Sequence, residues 1–198
     1  IPLHTSTTFE RGEDGSFASG FEYTRDSNPT RFAFEQALTA LEGGGEGIAF
    51  ASGMAAIAAV LEAHPSRGQV VLPDDMYFGI RSLIKETDIG RRFEFVPIDM
   101  RDLDRVRTAV QDKPTGLVCM ETPSNPMIRV VDVPAICEIA HEGGALAVVD
   151  NTWATPALQR PLDLGADAVV HSATKYIGGH SDMMAGIVVV PAASPLER

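Results

Sequence analysis

The sequence has 198 residues, of which 44% are hydrophobic and 22% charged, and its formal net charge at pH 7 is −11. This length and composition are typical of a globular protein with one sizeable core. The negative charge argues against a nucleic-acid or membrane-surface partner, because phosphate backbones and anionic lipids attract basic proteins. No apolar run in the sequence is long enough to span a bilayer.

The chain contains two cysteines, Cys119 and Cys137, and both lie in apolar segments. Free cysteine usually behaves as a small hydrophobic residue, so a redox or nucleophilic role for either is the less favoured alternative. Since proteins stabilised by disulfides carry denser cysteine patterns, we expect reduced, buried thiols and a cytoplasmic protein. The histidines are scattered without the spacing of metal ligands, so we predict no metal site.

Residues 1–30 have no sustained hydrophobic periodicity and are rich in Ser, Thr, Gly and Asp. This is typical of an extended arm or a long loop, and loops of this length are usually functional or disordered. From Arg31 the stretch RFAFEQALTALEGGG predicts a helix that ends at glycines. We therefore divide the chain into an arm, residues 1–32, which we expect to contact a neighbouring subunit, and a domain, residues 33–198.

Beyond this helix, short apolar segments alternate with amphipathic ones. The apolar segments are GIAFAS, QVVLPDD, FEFVPID, GLVCMETPSNP, ALAVVDN, AVVHSAT and GIVVV. Strands that are apolar on both faces and separated by helices predict an α/β fold with a mostly parallel sheet covered on both sides. In such sheets ligands bind beyond the carboxyl ends of the strands. Because no helix follows GIVVV, we expect a further domain outside this chain.

One lysine, Lys175, lies just past a predicted strand, in VVHSATKYIGGHSDMMAG. A lysine at a strand end, partly out of water, can act as an amine nucleophile toward an aldehyde. A surface lysine whose stem packs on apolar neighbours would give the same local pattern, and taken alone that alternative is favoured. Ser172 and Thr174, which precede it, could donate hydrogen bonds to a phosphate held near the lysine.

Asp150 and the pair Ser52–Gly53 lie at two other predicted strand ends. Asp150 ends ALAVVD, where a buried carboxylate needs a partner. It could cap the turn DNT, or it could keep a heterocyclic nitrogen protonated. Ser52 and Gly53 open a predicted helix whose free N–H groups and dipole favour a phosphate, although Ser-Gly is also a common helix cap.

Tyr77 and the motif ETPSNP complete the predicted edge of the sheet. Tyr77 could stack on a cofactor ring and move a proton, or could simply pack in the core. The two prolines of ETPSNP hold a turn that presents Glu121 and Asn125. A lysine nucleophile, a carboxylate for a ring nitrogen, a stacking ring and phosphate donors at one edge together predict a site for pyridoxal 5'-phosphate.

The segments YTRDSNPT, ASGMAAI, ETPSNP, VVDNT and HSATKYIGGHSD carry a family resemblance. In order, from about Pro2 to Val190, the chain resembles the fold-type I, pyridoxal-phosphate-dependent enzymes of Cys/Met metabolism. The resemblance implies that this chain is the large cofactor-binding domain and that a C-terminal small domain, which supplies an arginine for the substrate's α-carboxylate, is absent from it. It also implies a homotetramer built from two dimers.

The resemblance further implies roles for particular residues. Lys175 and Tyr77 are the implied catalytic residues: Lys175 binds the cofactor covalently and moves a proton, and Tyr77 stacks on the ring. Asp150 is implied to contact the pyridine nitrogen, and Tyr23 and Arg25 to reach the phosphate of a neighbouring subunit. The other implied cofactor-binding residues are Ser52, Gly53, Met54, Asn125, Thr152, Ser172 and Thr174.

We therefore expect an enzyme of trans-sulfuration, acting on the β- or γ-substituent of an amino acid derived from homoserine or cysteine, with cystathionine γ-synthase or γ-lyase chemistry favoured. Phe78, Gly79 and Ile80 follow Tyr77, where methionine γ-lyases have Gly-Cys-Thr, which argues against that activity. Trp153 keeps a cystathionine β-lyase open, and an O-acyl-homoserine sulfhydrylase or a catalytically silent scaffold are further alternatives. A nicotinamide oxidoreductase is disfavoured because no G-x-G-x-x-G follows the first strand.

Overall fold

The computed structural model describes residues 2–64 and 68–192, which form one seven-stranded sheet with helices packed on both faces. The strands are β1 (Glu46–Phe50), β2 (Gln69–Pro73), β3 (Glu94–Ile98), β4 (Thr115–Glu121), β5 (Leu146–Asp150), β6 (Ala168–His171) and β7 (Gly186–Val190). The α-helices are α1 (Pro29–Glu42), α2 (Gly53–Ala63), α3 (Phe78–Glu86), α4 (Leu103–Asp112), α5 (Val133–Glu142) and α6 (Thr155–Leu158). Short 3₁₀ turns span Ile89–Arg91 and Pro161–Leu164. None of the helices in these ranges is long and apolar enough to cross a membrane.

The strand order across the sheet is β1-β7-β6-β5-β4-β2-β3. Neighbouring strands from β6 to β3 are parallel, whereas β7 is antiparallel to both β6 and β1. The predicted mostly parallel sheet is confirmed, but the reversal of β7 was not predicted, because an apolar run does not indicate the direction of a strand. Since β7 alone is reversed, the carboxyl ends of all the other strands meet at one edge.

Strands β2, β4, β5, β6 and β7 bury both of their faces, whereas the edge strands β1 and β3 are only partly buried. Successive side chains point to opposite sides of the sheet, so burial on both faces requires a layer on each side. Val71 and Val118 pack with α4 and α5 on one face, and Val70 and Leu117 pack with α2 and α3 on the other. None of these four side chains is more than 1% exposed. Burial on both faces explains why the sequences of these strands are continuous apolar runs and do not alternate between apolar and polar residues.

Helix α1 begins at Pro29, two residues before the predicted start and inside the segment predicted as the arm. The Asn28 side chain caps it by accepting hydrogen bonds from the backbone N–H groups of Thr30 and Arg31, and proline is well suited to the first helical position. The preceding residues fold back on themselves, since Thr8 and Tyr23 form an antiparallel bridge. The arm is therefore irregular but hydrogen-bonded within its own chain.

Both cysteines are free thiols, in agreement with the predicted reduced state. Cys137 is buried in α5, and Cys119 is partly buried in β4. Burial raises the pKa of each thiol to about 12. Neither thiol is therefore in the ionised form that a nucleophile or redox centre requires near neutral pH.

Candidate functional site

A cavity of about 660 Å³ lies at the edge where the carboxyl ends of the strands meet. Its lining residues come from the segments that follow β1, β2, β4, β5 and β6. It brings together all of the predicted site residues except Tyr23 and Arg25: Ser52, Gly53, Met54, Tyr77, Asn125, Asp150, Thr152, Ser172, Thr174 and Lys175. Residues that are up to about 120 positions apart in sequence thus share one site because a parallel sheet collects their strand ends.

One wall of the cavity is the start of α2 set against the end of β6. The Ser52 hydroxyl caps α2 by accepting from the N–H of Ala55 at 3.1 Å. A Cβ added at Gly53 would lie 2.7 Å from the Ser172 Cβ, so a larger residue would force these two segments apart. The free N–H groups of the first turn of α2 and the Ser172 hydroxyl therefore lie close together, as anion sites at helix N-termini require.

Thr152 and Thr174 hold the neighbouring turns in place. The Thr152 hydroxyl accepts from the N–H of Ser172 at 2.8 Å, which ties the end of β5 to the end of β6. The Thr174 hydroxyl accepts from the N–H of Ala185 and donates to its carbonyl oxygen. Within the described residues these hydroxyls thus serve to position backbone segments around the cavity.

Two carboxyl groups, Asp150 and Glu121, lie side by side at the ends of neighbouring strands, where they are register partners. Burial raises the pKa of Asp150, although its Oδ1 accepts from the N–H of Thr152 at 2.9 Å. Burial also raises the pKa of Glu121 to about 7, and the nearby Asp150 adds to this effect. A pair of buried carboxyl groups favours a ligand that brings a positive charge or an N–H donor.

The Tyr77 ring lies against the space left by Gly79, where an added Cβ would be 2.5 Å from the Tyr77 Cε1. On the other side of the cavity, Trp153 and Tyr176 contact edge to face with ring centroids 5.8 Å apart. Gly79 therefore gives Tyr77 room to face the cavity. These aromatic side chains supply flat apolar walls for a ring-shaped ligand.

The model of the "Cys/Met metabolism PLP-dependent enzyme" family matches residues 1–198. The chain belongs to this family. It is 47% identical over 192 residues to a cystathionine beta-lyase of Coxiella burnetii, and 45% identical over 190 residues to a cystathionine gamma-synthase of Mycobacterium tuberculosis. Each alignment covers 96% of this chain and 49% of the relative, so the chain spans about half the length of the curated relatives it matches.

Solved structures give the same family and the same fold. The structure of metB from Corynebacterium glutamicum superposes with a TM-score of 0.90 at 42% identity, over 96% of this chain and 50% of that one. A cystathionine gamma synthase from Xanthomonas oryzae pv. oryzae, in complex with aminoacrylate and cysteine, superposes with a TM-score of 0.89 at 41% identity, over 97% of this chain and 49% of that one. The predicted family and fold type are therefore confirmed.

The cofactor of this family is pyridoxal phosphate, and the chemical groups of the cavity fit it. The helix N-terminus at Gly53 and the Ser172 hydroxyl suit a phosphate. The partly buried Asp150 carboxyl suits the basic ring nitrogen, and Tyr77 offers a flat face. The Lys175 amine has no hydrogen-bond or ion-pair partner within the described residues, so it is available to an aldehyde, although it is more exposed than we expected.

Tyr23 and Arg25 do not line the cavity of their own chain. Tyr23 takes part in the bridge to Thr8, and the Arg25 guanidinium lies 4.9 Å above the centre of the Tyr23 ring. Arg25 is exposed and has no acidic partner within residues 2–64 and 68–192. The prediction that both residues serve a neighbouring subunit is neither confirmed nor contradicted by this single chain.

Directly beneath the cavity lies a fully buried cluster that sequence reasoning missed: Glu42, Asn151 and His171. The Glu42 Oε1 accepts from the Asn151 Nδ2 at 2.9 Å and lies 2.5 Å from the His171 Nε2. The Glu42 Oε2 and the His171 Nδ1 have no hydrogen-bond partner in the described part of the chain. The cluster joins the end of α1 to the two turns that carry Thr152 and Ser172. Its only signal in the sequence was a glutamate and a histidine in otherwise apolar segments.

Proposed function

We propose that this chain is the cofactor-binding part of a pyridoxal-phosphate-dependent trans-sulfuration enzyme. Its substrate is an amino acid derived from homoserine or cysteine, and the reaction is elimination or replacement at the β- or γ-carbon. Cystathionine γ-synthase or γ-lyase chemistry is favoured, and cystathionine β-lyase or O-acyl-homoserine sulfhydrylase activity is the alternative. The observation that carries the proposal is the Lys175 amine, without a partner among the described residues, in one cavity with the partly buried Asp150 carboxyl and the start of α2.

Each group at the cavity has a role in this proposal. When bound, the cofactor supplies a ring that withdraws electrons from the substrate's α-carbon. Lys175 would hold the cofactor through its aldehyde carbon, with loss of water, and would take and return the proton at the substrate's α-carbon. Asp150 holds a proton on the ring nitrogen, and its raised pKa is lowered again by that ion pair. Tyr77 stacks on the ring.

The remaining residues hold the phosphate and the substrate. The N–H groups of Gly53 and Met54, with the hydroxyl of Ser172, would bind the phosphate, and Ser52 caps the helix that presents them. The predicted phosphate contact of Thr174 is not kept, because its hydroxyl proton is donated to the carbonyl oxygen of Ala185 and Thr174 instead holds the neighbouring turn. Asn125 contacts the phenolic oxygen of the cofactor and the substrate's carboxylate, and Thr152 supports Asp150.

We further propose that the protein is a cytoplasmic homo-oligomer, a dimer of dimers. In this assembly Tyr23 and Arg25 reach the phosphate held by a neighbouring subunit, which explains why they are absent from the cavity of their own chain. An arginine of a second domain binds the substrate's α-carboxylate.

The test is an absorption spectrum of the purified protein with pyridoxal phosphate, followed by borohydride reduction and peptide mapping. We expect a band at about 420 nm and a reduced label on Lys175. Lys175→Ala should remove both and lower turnover by about a thousandfold, because a positioned proton donor and acceptor contributes roughly 10²–10⁴-fold. Lys85→Ala, which changes an exposed lysine of α3, should leave both unchanged.

A label on another lysine, or full activity of Lys175→Ala, would overturn the proposed role of Lys175. A protein that stays colourless after pyridoxal phosphate is added would overturn the enzymatic proposal and favour the scaffold alternative.

A further inference from the structure

Glu121 makes contacts that the proposed function does not use. It ends β4, is buried, and lines the cavity beside Asp150. Its Oε2 accepts from the backbone N–H of Tyr77 at 2.8 Å, and its Oε1 accepts from the backbone N–H of Asn125 at 2.6 Å. One carboxylate thus holds two backbone segments that are 48 residues apart and follow different strands, β2 and β4.

We propose that Glu121 is a positioning residue, whose carboxylate clamps the amides of Tyr77 and Asn125 and so sets the gap into which the cofactor ring fits. The proposal rests on the proposed function for the identity of the ligand. The clamp itself is a feature of the protein and can be tested without the ligand.

The geometry requires two acceptors at this position. Tyr77 lies at the start of α3, with no side-chain cap, and within the described residues its N–H has the Glu121 Oε2 as acceptor. The N–H of Asn125 points to the other oxygen. An ionised carboxylate is the best acceptor for both amides. A carboxamide replaces one oxygen with an N–H donor, and protonation turns one oxygen into a hydroxyl, which is a donor and a weaker acceptor.

The ionisation of Glu121 depends on the groups that face it. Asp75 and the backbone N–H of Tyr77 approach from the segment after β2, Asp150 approaches from β5, and Lys175 lines the same cavity. Burial raises the pKa of Glu121 to about 7, the two amide hydrogen bonds oppose this rise, and the aspartates add to it. The clamp is therefore complete above about pH 7 and is weakened as the pH falls through that value.

Glu121→Gln is the informative variant because it keeps the size of the side chain and removes one acceptor. The segments that it joins have a second connection, since the Ser124 hydroxyl donates to Asp75 and Arg129 pairs with Asp74 at 2.9 Å. We therefore expect the variant to fold, which thermal unfolding of the protein without cofactor would verify. Glu138→Gln, at an exposed position of α5, is the matched control.

The first measurement is the dissociation constant of pyridoxal phosphate for wild type and both variants at two pH values. At about pH 8.5 we expect Glu121→Gln to bind about tenfold more weakly than wild type, since it lacks one charge-assisted hydrogen bond. At about pH 5.5 the ratio should approach one, because wild type is then protonated too. Titration of the cofactor itself is common to all three proteins and cancels in the ratio.

The proposal would be overturned if the ratio of the two dissociation constants were the same at both pH values. A constant tenfold ratio would indicate a purely structural role, and a constant ratio of one would indicate no role.

The second measurement follows the backbone amide signals of Tyr77 and Asn125 by NMR without cofactor. Both should shift with a common midpoint near pH 7 in wild type, and this transition should be absent in Glu121→Gln. Amides that do not titrate together would also overturn the clamp.

These outcomes separate the two proposals. If pyridoxal phosphate does not bind, the proposed function fails, and the amide titration still decides whether the clamp exists. If it binds but the ratio does not depend on pH, the clamp fails and the proposed function stands.

Discussion

Replacing Glu42 with alanine tests whether the buried cluster beneath the cavity holds the fold together. Glu42, Asn151 and His171 are all 0% exposed. The substitution removes the acceptor of the Asn151 Nδ2 and the partner of the His171 Nε2. Asn151 keeps the carbonyl oxygen of Gln159 as an acceptor at 2.9 Å, whereas His171 keeps no side-chain partner in the described part of the chain.

The magnitude follows from these partners. A buried polar group left without a hydrogen bond costs about 1–3 kcal/mol. Glu42→Ala takes the partner from the His171 Nε2 and one of two acceptors from the Asn151 Nδ2, but it also removes the Oε2, which has no partner and is itself costly to bury. We therefore expect the free energy of unfolding to fall by about 3 kcal/mol, at the upper end of this range.

The assay is equilibrium unfolding in urea at neutral pH, with the denaturant slope checked for equality between variants. Glu62→Ala is the control, because Glu62 is exposed and its ion pair with Arg92 is long, at 3.9 Å. That control should change the free energy of unfolding by less than about 0.5 kcal/mol. A loss below about 1 kcal/mol for Glu42→Ala would refute the reasoning, since it would mean that the buried hydrogen bonds contribute little net stability.

Two further predictions follow from the packing. Gly53→Ala should lower the affinity for pyridoxal phosphate about tenfold while the protein stays folded. The reason is that the new Cβ would lie 2.7 Å from the Ser172 Cβ and push apart the segments that hold the phosphate. An unchanged dissociation constant in a fluorescence titration would contradict this prediction. Cys119 and Cys137 should not react with Ellman's reagent in the native protein near neutral pH, because burial raises the pKa of both thiols to about 12. Both should react once the chain is unfolded in guanidinium, and rapid reaction of the native protein would show that a thiol is accessible.

Much of the cavity could be predicted from the sequence because its residues follow predicted strands. Asp150 ends one apolar strand, and Ser172 and Lys175 lie within the turn that follows another. The carboxyl ends of parallel strands necessarily meet at one edge. The cavity lining agrees with that expectation for every predicted residue outside the N-terminal arm. Tyr23 and Arg25 differ because their predicted partner is another subunit, which a single chain does not contain.

Other features could not be predicted, each for an identifiable reason. The antiparallel direction of β7 was missed because the apolar run GIVVV predicts a buried strand and carries no information about whether it is parallel or antiparallel to its neighbours. Helix α1 starts earlier than its apolar periodicity suggests, because the Asn28 cap and Pro29 set the first turn and neither is apolar. The exposure of Lys175 depends on how wide the cavity is, which no local pattern encodes.

The family, the class of fold and the chemical groups of the site could be predicted from the sequence, because strand and helix periodicities and strand-end motifs are local properties of the chain. How those groups are held depends on contacts between remote segments. Glu42 meets His171 across 129 positions, and Glu121 reaches the N–H of Tyr77 across 44. Hydrogen bonds of this kind depend on distances of a few tenths of an ångström between segments that are remote in sequence, and these distances are set only when the whole sheet and its helices pack together.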